Sequence, residues 1–207
     1  CHQDVKSSLG KEITDEMAIP AYTEGTWYSR IVFWGKLKHI IKSSNLQPQM
    51  QIFDFGCGTG VLLPELAKDG RIIFATDLYS DMAKCLVRKL NLDSVKFIDP
   101  NNWENSIQSE SLDLIIAANV LEHVDDRKML LNKFKQKLNR DGRIIISGPT
   151  ENRLYRLGRR IINFSGDYHV TNIFDIFEDA KKVGLVQDRL KRYPFPGPFC
   201  LYQIASF

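Results

Sequence analysis

The sequence predicts an α/β fold in which helices cover both faces of a mostly parallel, seven-stranded sheet. Seven short runs rich in apolar and β-branched residues recur along the chain, and segments with helical periodicity separate most of them. Residues 112–118 form an almost continuous apolar run, which is typical of a parallel strand buried on both faces. A glycine-rich turn at residues 56–60 directly follows the first run. Open α/β sheets bind their ligands at such turns.

The predicted elements alternate along the chain, as a parallel sheet requires. Strands are predicted over residues 51–55, 71–76, 95–98, 112–118, 143–147, 185–192 and 199–206. Helices are predicted up to about residue 44 and over residues 62–68, 80–90, 126–138 and 173–183. No internal repeat and no linker indicates a second domain, so we expect residues 1–207 to form a single domain.

The turn after the first strand has the sequence IFDFGCGTG, from Ile52 to Gly60. A side chain at Gly56, Gly58 or Gly60 would block a left-handed backbone or hold a ligand away from the main chain. The first-turn amides of the helix that follows would point into the same crevice, with the positive end of the helix dipole behind them. The turn is therefore predicted to bind a cofactor.

The spacing of the glycines bears on which cofactor binds. A dinucleotide fingerprint has the pattern G-x-G-x-x-G, whereas this turn has G-x-G-x-G with Asp54 two residues ahead of the first glycine. This spacing disfavours a dinucleotide. A purely structural turn is the other interpretation.

Two further strands end in carboxylates at the same predicted edge of the sheet. Asp77 follows the run at 71–76, at about the ~20-residue distance at which a second strand presents a carboxylate to ribose hydroxyls. Asp99, followed by Pro100, ends the third strand and is a candidate partner for a purine amino group. Both positions also suit ordinary turn formers.

Four motifs in order resemble the class I S-adenosylmethionine-dependent methyltransferases, in particular their small-molecule and lipid or glycan branch. The motifs are D-x-G-C-G-x-G at Asp54–Gly60, the acidic strand end Asp77, L-D followed by an apolar run and L-E-H-V at Leu112–Val124, and D-G-R with an apolar run at 141–147. The resemblance covers roughly residues 22 to 150. It implies a single Rossmann-like class I methyltransferase domain whose last strand is antiparallel, and S-adenosylmethionine as the cofactor.

The same resemblance implies roles for individual residues. Asp54 would engage the methionine amino group through water, and Asp77 would hold the ribose diol. Asn119 would present its backbone near the sulfonium end. The remaining cofactor residues would be Gly56, Cys57, Gly58 and Gly60 along the methionine and ribose, with Leu78, Asp99 and Pro100 beside the adenine. Within the single domain, the resemblance implies a helical cap at 1–45, a cofactor-binding core at 50–147, a substrate-side insertion at 148–172 and a C-terminal helix and hairpin at 173–207.

The segment Glu24–Arg30 resembles the E-x-x-W-[FY]-x-x-R-like opening of methyltransferases that act on cell-envelope sugars and lipids, although Arg30 falls one residue early. The resemblance implies that Trp27, Tyr28 and Arg30 form a lid over the methionine end of the cofactor. The helical spacing of apolar residues from 27 to 41 equally fits a helix that packs on the sheet.

The insertion at 148–172 is where we expect substrate contacts. Its segment 153–162 is basic and amphipathic, with Arg153 and Arg156 on its polar side. Such a helix would suit a phosphorylated, lipid-linked acceptor or a peripheral contact with an anionic membrane. A solvated helix whose arginines pair with nearby acids is the alternative. Tyr168 is the third candidate substrate residue.

Methyl transfer requires alignment of the acceptor with an already activated carbon, and it requires a base only when the acceptor carries a proton. An imidazole suits a hydroxyl acceptor. His169 in the insertion and His123 at the crevice mouth are the candidate catalytic residues, with His123 preferred for lining the site. Each also fits a structural role, as the start of a helix or the closure of a loop.

Composition restricts the cofactor and the partners only mildly. A formal net charge of +3 does not require a nucleic-acid partner. The four cysteines occur singly, which predicts neither a metal site nor a disulfide framework and fits a reducing cytoplasm. No ~20-residue apolar segment is present, so we expect a cytoplasmic protein with at most peripheral membrane contact.

Two other functional classes compete with a methyltransferase acting on a small-molecule, lipid-linked or glycan acceptor. An NAD(P)-dependent Rossmann oxidoreductase would account for the glycines and Asp77, but not for the G-x-G-x-G spacing or the L-E-H-V segment. A non-catalytic, methyltransferase-like binding protein would keep the cofactor residues without turnover. The acceptor atom and the oligomeric state are left open by the sequence.

Overall fold

The computed structural model describes residues 27–152, Tyr155 and residues 171–207. Its helices are α1 (Trp27–Ser44), α2 (Leu63–Leu66), α3 (Asp81–Leu90), α4 (Trp103–Ser106), α5 (Arg127–Lys137) and α6 (Ile173–Lys182). Its strands are β1 (Gln51–Phe55), β2 (Ile72–Thr76), β3 (Val95–Phe97), β4 (Leu112–Ala118), β5 (Leu138–Pro149), β6 (Arg189–Tyr193) and β7 (Tyr202–Ser206). Short 3-10 turns lie at Leu121–His123 and Gly197–Phe199.

The seven strands form one sheet in the order β3-β2-β1-β4-β5-β7-β6. The pairs within β1 to β5 are parallel, whereas β7 runs antiparallel to both of its neighbours. The predicted fold class, a mostly parallel seven-stranded sheet with an antiparallel last strand, is confirmed. The strand order reverses between β1 and β4, and ligand crevices of open α/β sheets lie at such a point.

Side chains alternate between the two faces of the sheet because successive residues of a strand point to opposite sides. Ile52 packs in the core that α1, α2 and α3 cover, while Phe53 packs in the core beneath α4, α5 and α6. The central strand β4 is buried over most of its length, so its apolar run serves both cores. Helices therefore cover both faces, as predicted.

Helix α1 covers the edge of the first core nearest the last strands. Leu37, Ile40 and Ser44 recur at helical spacing and are buried. The hydroxyl of Ser44 donates to the carbonyl of Ile40 at 2.9 Å, which satisfies a buried polar group. The helix thus brings its central residues against β5 and β7, beside the carboxyl end of β4.

The helices on the opposite face begin at side chains that accept from free backbone amides. Asp126 accepts from the amide of Met129 at the start of α5, and Asn172 accepts from the amides of Phe174 and Asp175 at the start of α6. A salt bridge of 3.0 Å between Arg127 Nε and Asp179 Oδ2 ties the two helices together. These contacts anchor α5 and α6 over the second core.

Strand β5 differs most from its predicted bounds. It begins at Leu138, whereas the sequence predicts a helix to 138 and a strand from 143. The early start has a side-chain cause. Asn139 Nδ2 donates to Asp113 Oδ1 at 2.6 Å, and Asp113 Oδ2 accepts from the amide of Gln51 at 2.7 Å. Asp113 therefore ties this extension of β5 to the beginning of β1.

Helix α2 is shorter than predicted, with four residues in place of the segment 62–68. Asp69 and Gly70 both have positive φ, +55° and +72°, so the backbone turns towards β2 at this point. The chain beyond is held by Arg71, whose buried guanidinium donates to the carbonyls of Leu66 and Glu65. Local turn geometry, rather than helix propensity, sets the end of α2.

The thiols differ in their bonding. Cys57 and Cys200 are buried free thiols, and Cys85 is disulfide-bonded. The cysteine spacing predicted no disulfide framework, and it gave no sign of the bond at Cys85, because spacing along a sequence does not report which cysteines meet in space. Among the helices in the described part of the chain, none combines the length and apolarity needed to cross a bilayer.

Candidate functional site

The glycine-rich turn after β1 is held against the end of β2. The amides of Gly56 and Cys57 both donate to the carbonyl of Thr76, at 2.9 and 3.0 Å. Gly56 and Gly60 have φ values of +75° and +77°. A Cβ atom at Gly56 would lie 2.5 Å from Val120 Cγ2, and one at Gly60 would lie 2.9 Å from the Cβ of Ala83. Packing alone therefore requires glycine at these two positions.

Gly58 differs from the glycines on either side of it. Its φ is +54°, yet a Cβ atom added there would meet no other atom within 4 Å. Its amide donates to Asp77 Oδ2 at 2.7 Å. Space is left open above the backbone at this point, as close approach of a ligand to the main chain requires.

Asp77 joins the glycine turn to the end of β2. Besides the bond from Gly58, its Oδ1 accepts from the amide of Tyr79 at 2.9 Å. The carboxylate is half-buried. Because a carboxylate offers about four lone-pair sites, it keeps the capacity to accept two more hydrogen bonds from a ligand. Leu78, the neighbouring candidate, is 75% exposed.

Asp99 and Pro100 follow β3, next to β2 in the sheet. Asp99 is exposed, and its Oδ1 accepts from the amide of Asn101 at 2.8 Å. That bond forms an Asx turn, which is the structural role considered for this residue. Contact with adenine is compatible with this turn, because the second carboxylate oxygen remains at the surface, and it stays a prediction.

Asp54 lies in β1 with its side chain buried beneath the glycine turn, at 1% exposure. Its Oδ2 has no hydrogen-bond partner among the described residues. Burial, reinforced by the charge of Asp77, raises the pKa of Asp54 to about 7. Leaving a buried oxygen without a donor costs about 1–3 kcal/mol. Such an atom is well suited to a ligand that brings a donor of its own.

Asp54 is expected to make the stability of the cofactor-free protein depend on pH. Between the ordinary pKa near 4 and the folded pKa of about 7, the folded state holds a proton that the unfolded state has lost. The free energy of unfolding should therefore fall as the pH rises through this window, by at most about 4 kcal/mol. Denaturation in urea at about pH 5 and about pH 8 measures this difference.

The matched variants are Asp54→Asn and Asp93→Asn, since Asp93 is an exposed carboxylate away from the turn. Asp54→Asn should lose most of the pH dependence, and Asp93→Asn should retain it. Equal pH dependence in Asp54→Asn and the wild-type protein would contradict the raised pKa. The other buried acid of the turn, Cys57, does not interfere, because burial raises its pKa well above the window.

Asn119 stands at the carboxyl end of β4, on the far side of the glycine turn. Its φ is +57°, and its amide donates to the carbonyl of Ser147 at 2.8 Å. Its side-chain oxygen accepts from Lys36 Nζ at 3.0 Å and from the hydroxyl of Ser147 at 3.4 Å. The side chain thus connects β4 and β5 with α1.

Lys36 is the site residue that the sequence did not reveal. It is 3% exposed, and burial lowers its pKa to about 8 in spite of the opposing charge of Glu122. Its one sequence signal is its place on α1, one position before Leu37 and four before Ile40, which sets a lysine on the buried side of the helix. In the sequence alone, where the packing of α1 on the sheet is not visible, this lysine cannot be distinguished from a surface lysine.

The other predicted residues lie further from the glycine turn. Trp27, Tyr28 and Arg30 are exposed at the beginning of α1, where the rings of Trp27 and Tyr28 meet edge to face at 5.9 Å. His123 is exposed at the end of the 3-10 turn after β4, next to the buried Glu122. Their roles as a lid and as a site-lining histidine stay predictions. Arg153, Arg156, Tyr168 and His169 lie outside the described residues.

The described residues contain no group of three or more His, Cys, Asp or Glu side chains able to hold a metal ion. The polar groups that converge on the crevice are instead two carboxylates, backbone amides and one buried amine. Donor and acceptor groups of this kind suit an organic ligand with an amino group and hydroxyls.

A segment of this chain that contains the crevice matches a known protein family. A family model described as a methyltransferase domain matches residues 53–146, from β1 to β5. The segment contains the glycine turn, Asp77, Asp99 and Asn119. Lys36 precedes it.

Several curated relatives carry the name ubiquinone biosynthesis O-methyltransferase, and two of them illustrate the similarity. The protein of Pasteurella multocida is 30% identical over 125 residues, covering 54% of this chain and 51% of its own length. The mitochondrial protein of Schizosaccharomyces pombe is 25% identical over 126 residues, covering 58% of this chain and 46% of its own. The chain spans about half the length of these relatives.

The fold is shared with solved structures. A SAM-dependent methyltransferase from Aquifex aeolicus superposes with a TM-score of 0.64 at 18% identity. The match covers 82% of this chain and 88% of that protein. At this identity the likeness establishes a common fold and no more.

Proposed function

We propose that this chain is a class I S-adenosylmethionine-dependent methyltransferase and that it methylates an oxygen of a small-molecule acceptor in the crevice between the glycine turn and Asn119. The match of a methyltransferase-domain model to residues 53–146 supports this proposal. S-adenosylmethionine is the cofactor of this family. The observation that carries the proposal is the pairing of an open backbone at Gly58 with the buried, unsatisfied carboxylate oxygen of Asp54.

The polar groups at the glycine turn would each contact a different part of the cofactor. Asp54 offers a buried acceptor oxygen to the amino group of the methionine part, directly or through water. The open space at Gly58 admits the ligand to the backbone, and Asp77 keeps acceptor capacity for the ribose diol. Leu78, Asp99 and Pro100 would flank the adenine. When bound, S-adenosylmethionine supplies a methyl carbon activated by the adjacent sulfonium.

The protein's own contribution is alignment and exclusion of water, since the reacting carbon is already activated. Helix α1 covers the carboxyl end of β4 and β5, and Trp27, Tyr28 and Arg30 at its beginning would complete the cover as a lid. Asn119 is held in a left-handed conformation by its bonds to Ser147. A fixed backbone at this position would orient the reacting end of the cofactor towards the acceptor.

The two relatives are named as O-methyltransferases of ubiquinone biosynthesis, which supports an oxygen acceptor on a small molecule. The basic segment 153–162, with Arg153, Arg156 and Tyr168 in or near it, would contribute to acceptor binding, and His169 remains the candidate base within the insertion. A lipid-linked or a glycan acceptor would be the alternative to a small molecule, and a lipid-linked acceptor would bring this segment into contact with a membrane. A cytoplasmic location belongs to the proposal as well.

Turnover on a mixed panel of acceptors tests this function. The purified protein is incubated with S-adenosylmethionine and phenols, catechols, aliphatic alcohols or amines, and methylated products are identified by mass spectrometry. Methylation of one or more hydroxyl compounds is the expected result. Methylation of amines alone would contradict the choice of oxygen. S-adenosylhomocysteine binding without any product would instead favour a non-catalytic binding protein.

A further inference from the structure

We infer that Lys36 is the acceptor-binding group of this site and that it takes the acidic hydroxyl of an aromatic acceptor as its oxyanion. This inference rests on the proposed function and narrows its substrate class to phenols. The juxtaposition that carries it is a buried amine, an aromatic wall and the carboxyl end of β4, all beside Asn119.

The burial of Lys36 calls for an explanation. Lysine is almost never fully buried without a partner, because removing an ammonium from water is costly. The amine can donate three hydrogen bonds, and its one hydrogen bond among the described residues goes to the side-chain oxygen of Asn119. The neutral amide oxygen and the nearby charge of Glu122 offset only part of the cost, since the pKa of Lys36 stays lowered to about 8. The remaining donors suit an anionic oxygen from a ligand.

Aromatic rings flank the amine. Lys36 Nζ lies 4.6 Å from the ring centroid of Tyr202 and 5.1 Å from that of Phe33. Tyr202 in turn meets the rings of Phe33 and Tyr155 edge to face, at 6.1 and 5.6 Å. Rings in this arrangement favour a planar aromatic ligand, which can stack or meet them edge to face.

The position of Lys36 separates it from the groups assigned to the cofactor. Asp54, Gly58 and Asp77 lie at the ends of β1 and β2, whereas Lys36 contacts Asn119 after β4 and Tyr202 in β7. Asn119 is where the sulfonium end is expected. The ammonium of Lys36 and the sulfonium of the cofactor would repel each other there unless an anion lay between them. An acceptor oxyanion would fill that place.

The charge state of Lys36 suits the removal of a proton. Burial lowers its pKa to about 8, and among the neighbouring charges Glu122 opposes the shift. Among the described residues, the side-chain oxygen of Asn119 accepts a hydrogen bond from the amine, and the rings of Phe33 and Tyr202 lie beside it. An amine with a pKa near the working pH is close to the optimum for a general base.

The atoms and electrons of the step balance. The acceptor hydroxyl gives its proton to the neutral amine of Lys36, which becomes an ammonium. The resulting oxyanion forms a bond to the methyl carbon, and the electron pair of the broken carbon–sulfur bond stays on sulfur. One positive charge appears on Lys36 and one disappears from the sulfonium, so the charge of the closed site is unchanged.

Ionisation of 4-nitrophenol provides a readout that does not depend on turnover. This probe changes its absorbance when its hydroxyl ionises, and it is titrated with pH in the presence of protein saturated with S-adenosylhomocysteine. Bound to the wild-type protein, its pKa is expected to fall by about one unit or more, the effect of an opposite charge within hydrogen-bonding range.

Three variants share the experiment. Lys36→Met removes the amine at similar length, and Lys36→Gln also removes its charge but can still donate to Asn119. Both are expected to lose the shift. Lys38→Met is the matched control, since Lys38 lies on the same helix and is exposed, and it should keep the shift. Thermal unfolding of each variant verifies folding.

Each of the following outcomes would overturn the inference. The inference is overturned if the wild-type protein does not bind the phenolate, or if Lys36→Met and Lys36→Gln keep the full shift. A loss of S-adenosylhomocysteine affinity of more than about tenfold in both Lys36 variants, with the phenolate shift intact, would assign the lysine to the cofactor instead. Calorimetry distinguishes failure of the proposed function: a wild-type protein that binds no S-adenosylhomocysteine defeats both proposals.

Discussion

Asp77→Ala is expected to lower the affinity for S-adenosylhomocysteine by at least about 100-fold while the protein stays folded. The loss corresponds to two charge-assisted hydrogen bonds to the ribose diol, each worth about 1.5–3 kcal/mol. The carboxylate is half-buried, so water can replace the hydrogen bonds that it accepts from the amides of Gly58 and Tyr79. The variant therefore keeps the fold. Isothermal titration calorimetry measures the affinity, and thermal unfolding verifies the fold.

Asp93→Ala is the control for this variant, because it removes an exposed carboxylate that follows α3. Its affinity for S-adenosylhomocysteine should equal that of the wild-type protein. Unchanged binding in Asp77→Ala would remove Asp77 from the ribose site. In that case its two backbone bonds would suffice to explain the residue as a support for the glycine turn.

Gly58→Ala is expected to reduce S-adenosylhomocysteine binding by at least about tenfold. The added methyl group meets no protein atom within 4 Å, so it would occupy the space through which a ligand approaches the backbone. Strain from the positive φ of +54° should cost the fold roughly 1–2 kcal/mol. Affinity and the free energy of unfolding are measured on the same preparation.

The variant Gly70→Ala distinguishes the effect of backbone strain from that of steric obstruction of the ligand. Gly70 also has a positive φ, +72°, but it lies in the turn between α2 and β2, where a Cβ atom would contact only Gln49 at 3.7 Å. It should lose similar stability and bind S-adenosylhomocysteine normally. If Gly58→Ala and Gly70→Ala bind equally well, the open space at Gly58 is not the cofactor path.

The core of the fold and the glycine turn at the end of β1 were predictable because they rest on local patterns. Apolar runs of strand length, and glycines that only a tight turn explains, are readable one segment at a time. The sheet edge then brings Asp54, Gly58 and Asp77 together, because parallel strands end on the same side. Sequence spacing was enough to expect this juxtaposition.

Features that depend on distant contacts were not predictable. The burial of Lys36 depends on how α1 sits on β5 and β7, and its bond to Asn119 spans 83 residues of sequence. The early start of β5 depends on Asn139 reaching Asp113. That Asp54 Oδ2 has no hydrogen-bond partner in the described part of the chain is likewise a property of the folded environment, and no pattern in the sequence encodes it.

Calorimetric titration of the wild-type protein with S-adenosylhomocysteine and, separately, with NAD is the measurement that tests the central claim most directly. The crevice between β1 and β4 is predicted to bind S-adenosylhomocysteine at least about tenfold more tightly than NAD. Stronger binding of NAD, or no binding of S-adenosylhomocysteine, would contradict the assignment of this crevice to an adenosyl sulfonium cofactor.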